Sequence, residues 1–328
     1  MDSNHKREWG AFISWVEHAR ATGLAHALGM PLYVPAKPLS RAPWPLRYAV
    51  QALLSIWYLV RRRPSYVVFT NPPFIAGLAL LLAARRLRIP VWCDVHSGAF
   101  NDDRWRRFAG PNLFVLNRCS GIVMHNRGLA DEVGPHLRPP LVVVGSPPLR
   151  ERPSAPSAAP RIVATLGWAF DEPIAELLEA IRSVPEISVS LTGRHHGLDA
   201  NAVPANCTLT GWLPDEEYDQ LLSRATAVIC LTDRENTMQT GAYEAIEHGT
   251  PLILSGTRTL RDYCDCGGVV FVDDHQPATL AQAMRLAVAE QHSYREDAQR
   301  ARPVLVERSH RQRSELTDAI TATVRSSR

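Results

Sequence analysis

Short runs rich in Val, Ile and Leu alternate with helix-length segments through most of the chain, and one proline-rich interruption splits the alternation into two similar halves. Before it, the pattern predicts strands at 66–70, 90–95, 121–125 and 141–144, with helices near 47–62, 74–87, 103–119 and 127–136. After it come strands at 161–166, 187–192, 207–210, 226–231, 251–255 and 269–272, with helices near 172–183, 215–224, 240–248 and 278–290. Strands this uniformly apolar are buried on both faces, which only helices on either side of a parallel sheet provide. The expected fold class is α/β, with two Rossmann-like domains facing each other across a cleft and a ligand at the carboxyl ends of the strands. The interruption, PPLRERPSAPSAAP at 147–160, holds five prolines in fourteen residues and sustains neither helix nor central strand. The expected division is an N-terminal domain over 1–146, a linker over 147–160, a second domain over 161–300 and a helical segment over 301–328.

Composition removes several classes of function. The 328 residues suffice for two cores, and a net charge of +3 with no long arginine run argues against nucleic acid as a partner. Lys6 and Lys37 are the only lysines, so a lone arginine says little about phosphate recognition. Cys93, Cys119, Cys207, Cys230, Cys264 and Cys266 lack framework spacing and read as reduced core residues of a cytoplasmic protein. Cys264 and Cys266 have no second ligand pair, so no structural zinc is expected. The N-terminus is polar through Glu8, and no secretory leader is expected.

The longest apolar stretches, 48–60 and 74–84, are thirteen and eleven residues long, short of the ~20 that span a bilayer. Around the first, Arg47, Gln51, Ser55, Tyr58 and Arg62 fall at helical spacing and make one narrow polar stripe beside a broad apolar face. One reading is a helix packed on a sheet, with Arg61, Arg62 and Arg63 complementing its dipole. The other is an interfacial helix over 47–63 that docks on an anionic membrane surface.

The segment 231–256, LTDRENTMQTGAYEAIEHGTPLILSG, reads as strand end, polar loop, helix, glycine stop and second strand. Its helix should open near Thr240 and Gly241, with unsatisfied N–H groups and a positive dipole end facing the loop, an arrangement that attracts anions. Gly241 would let a ligand approach the backbone, and Glu244 would reach a sugar or ribose hydroxyl. Gly249 and Pro251 then stop the helix. An ordinary αβ connection has the same outline. Neither half contains GxGxxG or GxxxxGK[ST], which disfavours dehydrogenases and P-loop enzymes. Other predicted strand ends carry Gly167 and Trp168, Gly193 and Arg194, and Gly211 and Trp212, suited to backbone contact, base stacking and neutralising a diphosphate.

These passages resemble the glycosyltransferases of the two-domain GT-B fold, and are closest to retaining glycosyltransferase family 4 and the dolichol-linked chitobiose mannosyltransferases. TLGWAFDEPIAELLEAI at 165–181 resembles the mannosyltransferases' short turn with its acidic pair, and LTGR at 191–194 the strand end that supplies a phosphate-binding cation. TLTGWLPDEEYDQLLSRATAVICL at 208–231 resembles the border of the nucleotide base, and ENTMQTGAYEAIEHGTPLI at 235–253 the segment holding diphosphate and ribose. TNPPFIAGLALLLAARRLRIPVWCDVHSGAF at 70–100 resembles those enzymes' paired prolines, apolar helix and strand ending in Asp-x-His. The family's two loop glutamates stand eight apart, whereas Glu235 and Glu244 stand nine apart, with Asn236 in the eight-apart place. Its basic pair after the first strand of the second domain has no counterpart in 167–173.

The resemblance implies transfer of a sugar from a nucleotide diphosphate sugar, UDP-linked in preference to GDP-linked, to a hydroxyl of a glycan, lipid-linked or small-molecule acceptor. Donor contacts would come from Gly167, Trp168, Arg194, Trp212, Leu213, Glu235, Asn236, Thr237, Met238, Gln239, Thr240, Gly241 and Glu244. Trp9 and Gly10 would lie on the acceptor side, with Gly10 in a turn. His96 would touch the donor sugar or take the acceptor proton, and Asp94, on the same strand face, would orient it or cap a helix. His125, His195 and His196 are further candidates. No metal is expected, since no Asp-x-Asp pair occupies a donor loop; Asp102–Asp103 and Asp273–Asp274 read as solvated turns. Rival readings are a sugar-nucleotide epimerase, a non-catalytic membrane-associated adaptor and a polymer-binding module. The location implied is cytoplasmic, with peripheral contact at the inner membrane face.

Overall fold

The fold is given by a computed structural model that describes residues 9–35, 43–145, 149–155, 157, 159–195, 198, 202–265 and 267–327. The chain divides into two compact units: unit 1 is Met1–Pro148 with Ser309–Arg328, and unit 2 is Leu149–Arg308. In unit 1 the order is β1 (Gly10–Ile13), α1 (Ala19–Ala27), β2 (Leu32–Tyr33), α2 (Trp44–Arg62), β3 (Tyr66–Asn71), α3 (Phe74–Leu87) and β4 (Val91–Val95). Then follow α4 (Gly98–Asn101), α5 (Asp103–Arg106), α6 (Ala109–Leu116), β5 (Gly121–Met124), α7 (Arg127–Val133) and β6 (Leu141–Val143). All six strands pair in parallel, in the order β2-β1-β3-β4-β5-β6. The order reverses between β1 and β3, which opens a crevice at their carboxyl ends. Alternate side chains serve the two faces: Ala11, Phe69 and Cys93 pack under α2, α3 and α6, while Phe12, Val68 and Trp92 pack on the other side.

Unit 2 contains β7 (Arg161–Ala164), α8 (Ile174–Arg182), β8 (Ser188–Thr192), β9 (Cys207–Gly211), α9 (Asp215–Arg224), β10 (Ala227–Cys230) and α10 (Thr240–His248). It continues with β11 (Leu252–Ser255), α11 (Arg258–Tyr263), β12 (Val269–Val272), α12 (Pro277–Ala289) and α13 (Gln291–Ser326), a 36-residue helix. The parallel order is β12-β11-β10-β7-β8-β9. Counted from β7, this is the doubly wound 3-2-1-4-5-6 order with its switch between β7 and β10. Gly249, at φ +61, closes α10 in the left-handed conformation, which costs a glycine little.

Several expectations change in detail. The helix expected over 103–119 is two short helices, α5 and α6, parted at Arg107 and Phe108, and Asp102 caps the first by accepting from Arg104 N at 2.8 Å. The strands expected from residue 66 onward are preceded by β1, every residue of it buried. Gly10 lies inside β1 rather than in a turn, and a Cβ there would meet the Tyr66 ring at 2.3 Å. In the proline-rich stretch Leu149 is 1% exposed in the core of unit 2, and Arg152 pairs with Glu247 at 2.6 Å and with Asp219. The division between units falls inside α13: Leu305 packs in unit 2, while Leu316, Ile320 and Val324 are buried in unit 1.

Helix α2 has an orientation that periodicity could not supply. Its buried side chains are Gln51, Ser55, Tyr58 and Leu59, so the polar stripe faces the core and the apolar face turns outward. Gln51 Nε2 donates to Trp15 O at 2.9 Å, Trp15 Nε1 donates to Ser55 Oγ at 3.0 Å, and Tyr58 stacks on Tyr33 at 4.3 Å. These buried hydrogen bonds hold the helix against rolling over.

Candidate functional site

The unit 2 switch point gathers most of the residues singled out in its sequence. After β7, Glu172 accepts from Gly167 N and Ala169 N, both at 2.9 Å, and holds that turn closed. Burial raises the Glu172 carboxyl above the ordinary range, and the same N–H groups partly oppose the shift. Trp168 sits at φ +55 and donates its Nε1 to Thr192 O at 2.9 Å, which fixes the indole over the end of β8. Gly193 is at φ +86, and a Cβ there would meet Leu166 O at 2.2 Å, so glycine is required. Arg194 follows, exposed, its guanidinium 5.8 Å from the Trp212 ring, which is itself 72% exposed. His195 is exposed and edge-on to Trp168, Leu213 is half-buried, and His196 lies outside the described residues.

Across the switch, the loop 231–239 leads into α10. Thr232 Oγ1 donates to Asp171 Oδ2 at 2.7 Å and Asp233 N to Asp171 O at 2.8 Å, which ties this loop to the one after β7. The N-cap residue of α10, Gln239, makes no side-chain cap; its Nε2 donates instead to Leu231 O at 2.9 Å. The start of α10 at Thr240 and Gly241 is therefore left without a side-chain cap from Gln239. Gly241 is buried, and the space a Cβ would take is filled by Thr165 Oγ1 at 2.0 Å, so this glycine serves helix-to-strand packing rather than an opening to ligand. Glu235 accepts from Arg258 N and Thr259 N, both at 3.1 Å, at the start of α11. Asn236 is buried at φ +56, accepting from Thr259 Oγ1 at 3.3 Å, while Thr237 and Met238 are half-buried. One turn into α10, Glu244 Oε2 accepts from Tyr218 Oη at 2.8 Å. Burial, with Glu247 and Asp219 nearby, raises Glu244 to about 7, against the lowering effect of the tyrosine.

Sequence reasoning missed two features of this site. Arg234 lies 4.1 Å over the ring of exposed Phe170, a second guanidinium at the switch point. Asp233, His275 and Ser255 form a chain, with His275 Nδ1 at 2.7 Å from Asp233 and Nε2 at 2.8 Å from Ser255 Oγ. Ser255 is only 1% exposed and also accepts from Thr232 N at 2.8 Å, so the chain anchors the loop and offers no accessible nucleophile.

Unit 1 carries its own polar cluster beside its switch point. Asp94, fully buried, accepts from Arg20 Nη2 at 2.7 Å and lies 3.0 Å from His96 Nε2. Burial opposes its ionisation, but Arg20 and His96 prevail and hold the carboxyl well below the usual range. The Asp94–His96 pairing leaves His96 Nδ1 as the second ring nitrogen of a side chain 25% exposed. His18 stands edge-on at 4.6 Å and His125 at 6.0 Å. Burial lowers His18 to about 4 and His125 to about 3, so both are neutral near pH 7. His18 Nδ1 accepts from Ala21 N at 3.2 Å, and its Nε2 is buried with no partner among the described residues. Arg20 and His18 come from α1 and its cap, elements the sequence reading did not place. Trp15, Glu17, Tyr48, Pro72 and Trp105 line a pocket of about 340 Å³ at the carboxyl ends of β1 and β3. Trp9 is 36% exposed before β1.

Two six-stranded parallel sheets, each wrapped by helices and each with a switch point, define the two-domain Rossmann-like GT-B architecture. Among solved structures, a glycosyltransferase from Rickettsia africae superposes at a TM-score of 0.74 with 11% identity, over 97% of this chain and 99% of the other. HepE from Anabaena, in complex with UDP-glucose, gives 0.70 with 12% identity over 94% and 92%. Sucrose-phosphate synthase from Thermosynechococcus elongatus gives 0.70 with 14% identity over 94% and 85%. No family model and no curated protein sequence matches the chain.

Proposed function

We propose that this protein is a metal-independent glycosyltransferase that uses a nucleotide diphosphate sugar, UDP-linked in preference to GDP-linked, and delivers the sugar to a hydroxyl acceptor. The observation that carries this reading is the uncapped start of α10 at the β7/β10 switch, in a unit with the doubly wound strand order. The likeness to HepE with UDP-glucose supports the donor class and the uridine preference.

The Thr240 and Gly241 N–H groups and Arg194 take the diphosphate, so the negative charge that grows on the departing phosphate meets fixed dipoles and a guanidinium without a metal. Trp212 and Leu213 border the base, and Glu244 accepts from a ribose hydroxyl. On the acceptor side, the aromatic walls of the unit 1 pocket suit a glycan ring or the polar head of a lipid-linked acceptor. His96 Nδ1 takes the acceptor proton while Asp94, held ionised by Arg20, stabilises the imidazolium that forms. A cytoplasmic location fits the availability of such donors.

Arg194→Ala and His96→Ala should each lower turnover by at least ~10²-fold with the melting temperature unchanged. Activity of both variants within a few-fold of wild type refutes the assignment. Turnover should persist in excess chelator.

A further inference from the structure

The outward apolar face of α2 is the centre of a larger surface. Among the described residues fifteen large hydrophobic side chains are exposed, and nine of these lie between Trp44 and Phe114. On α2, Leu46, Leu53, Trp57 and Val60 fall at helical spacing into one stripe, with Leu53 67% exposed and Trp57 58%. Helix α3, packed against α2, adds Leu78 and Leu82 one turn apart, and α6, packed against α3, adds Phe114. Unit 1 thus presents neighbouring apolar ridges that nothing among its described residues covers, while the helix carrying the largest of them is pinned by its buried polar stripe.

Charge identifies the occupant. Residues 43–118 contain eleven arginines and three acidic residues, although the whole chain is only +3. Asp94 is buried, Asp102 caps α5 and Asp103 pairs with Arg106. Arg61, Arg62 and Arg63 end the α2 stripe, and Arg85, Arg86 and Arg88 end that of α3. Among the described residues no acidic side chain pairs with any of these six. Arg63, Arg86 and Arg88 also line a cavity of about 330 Å³ with Ser65 and Ser327, room enough for a phosphate headgroup. A second copy of this face would bring like charge against like charge. None of the described helices is long and apolar enough to cross a membrane. We propose that the α2–α3–α6 face of unit 1 docks on an anionic lipid bilayer, its apolar ridges entering the headgroup–acyl boundary and its arginines meeting lipid phosphates.

The test is co-sedimentation of the full chain with phosphatidylcholine vesicles, with and without phosphatidylglycerol. Binding should require phosphatidylglycerol and weaken at high salt. Arg85→Ser with Arg86→Ser should weaken it about twenty-five-fold, at roughly fivefold per arginine. Leu53→Glu with Trp57→Glu should abolish it with an unchanged melting temperature, because both side chains are exposed. Equal binding to both vesicle types, no binding, or retention by the glutamate variant overturns the proposal. So does a concentration-dependent dimer that the glutamate variant dissolves, which would assign the face to a second copy. Vesicle binding needs no sugar donor, so its outcome is separate from that of the transferase reading.

Discussion

At the scale of single residues, the proposed chemistry rests on ionisable groups whose burial the fold sets. Glu244 was legible as a candidate because it stands one turn inside a helix that follows a polar loop. Its partner Tyr218 was not, since α9 brings the phenol from 26 positions away. Likewise Asp-x-His at 94–96 shows in the sequence, but Arg20 reaches Asp94 from 74 positions away, and no local pattern encodes such a contact. The raised Glu244 carboxyl gives a signed prediction. Its folded state keeps a proton up to about 7, while the unfolded carboxyl loses it near 4.5, so stability falls as pH rises through that window, by about 3 kcal/mol. Glu244→Gln should remove that fall, which denaturant titrations of the two proteins at about pH 5 and about pH 8 will read. The lowered His18 and His125 act with the opposite sign: their stabilisation is present above about 6.5 and is lost as pH falls toward 4 and 3.

At the scale of elements, the strands were the most legible part, because a parallel strand buried on both faces needs an unbroken apolar run such as Ala227–Cys230. Helices α3, α9 and α10 follow their expected spans because clear signals bound them: Pro73 and Pro214 before the first two, and Gly249 after the third. Helix α1 opens at a histidine cap, and α13 contains Pro303 and little apolar periodicity, so neither announces itself. The stripe on α2 was visible, but which face turns inward depends on Trp15 and Tyr33 waiting beneath it. The uncapped start of α10 is the element the proposed function uses. Gln239→Asp puts a carboxylate there, and unit 2 should keep its stability to within about 1 kcal/mol, since the new cap offsets the lost Gln239 bond to Leu231. Titration calorimetry should show UDP binding weakened at least ~10-fold by the competing charge.

At the scale of the whole molecule, doubling of the α/β pattern about the proline-rich stretch was legible, and the route of the chain's end was not. Leu316, Ile320 and Val324 are at most 3% exposed, packed with Phe12, Val68 and Trp92 of unit 1. Burying three such side chains contributes on the order of 5–8 kcal/mol, comparable to the stability of a whole domain. Deleting residues 309–328 should therefore unfold unit 1 and leave unit 2 folded. Limited proteolysis should then cut residues 9–145 rapidly and spare a fragment near 149–308.

The central claim is that unit 2 grips a nucleoside diphosphate at the start of α10, and melting the protein against a panel of nucleoside diphosphates and their sugar conjugates tests it most directly. Selective binding raises stability by mass action, about 2.7 kcal/mol at a hundredfold excess over Kd. The melting temperature should rise with one base, UDP foremost, and Arg194→Ala should reduce that rise. No rise with any member of the panel, or an equal rise in Arg194→Ala, would contradict it.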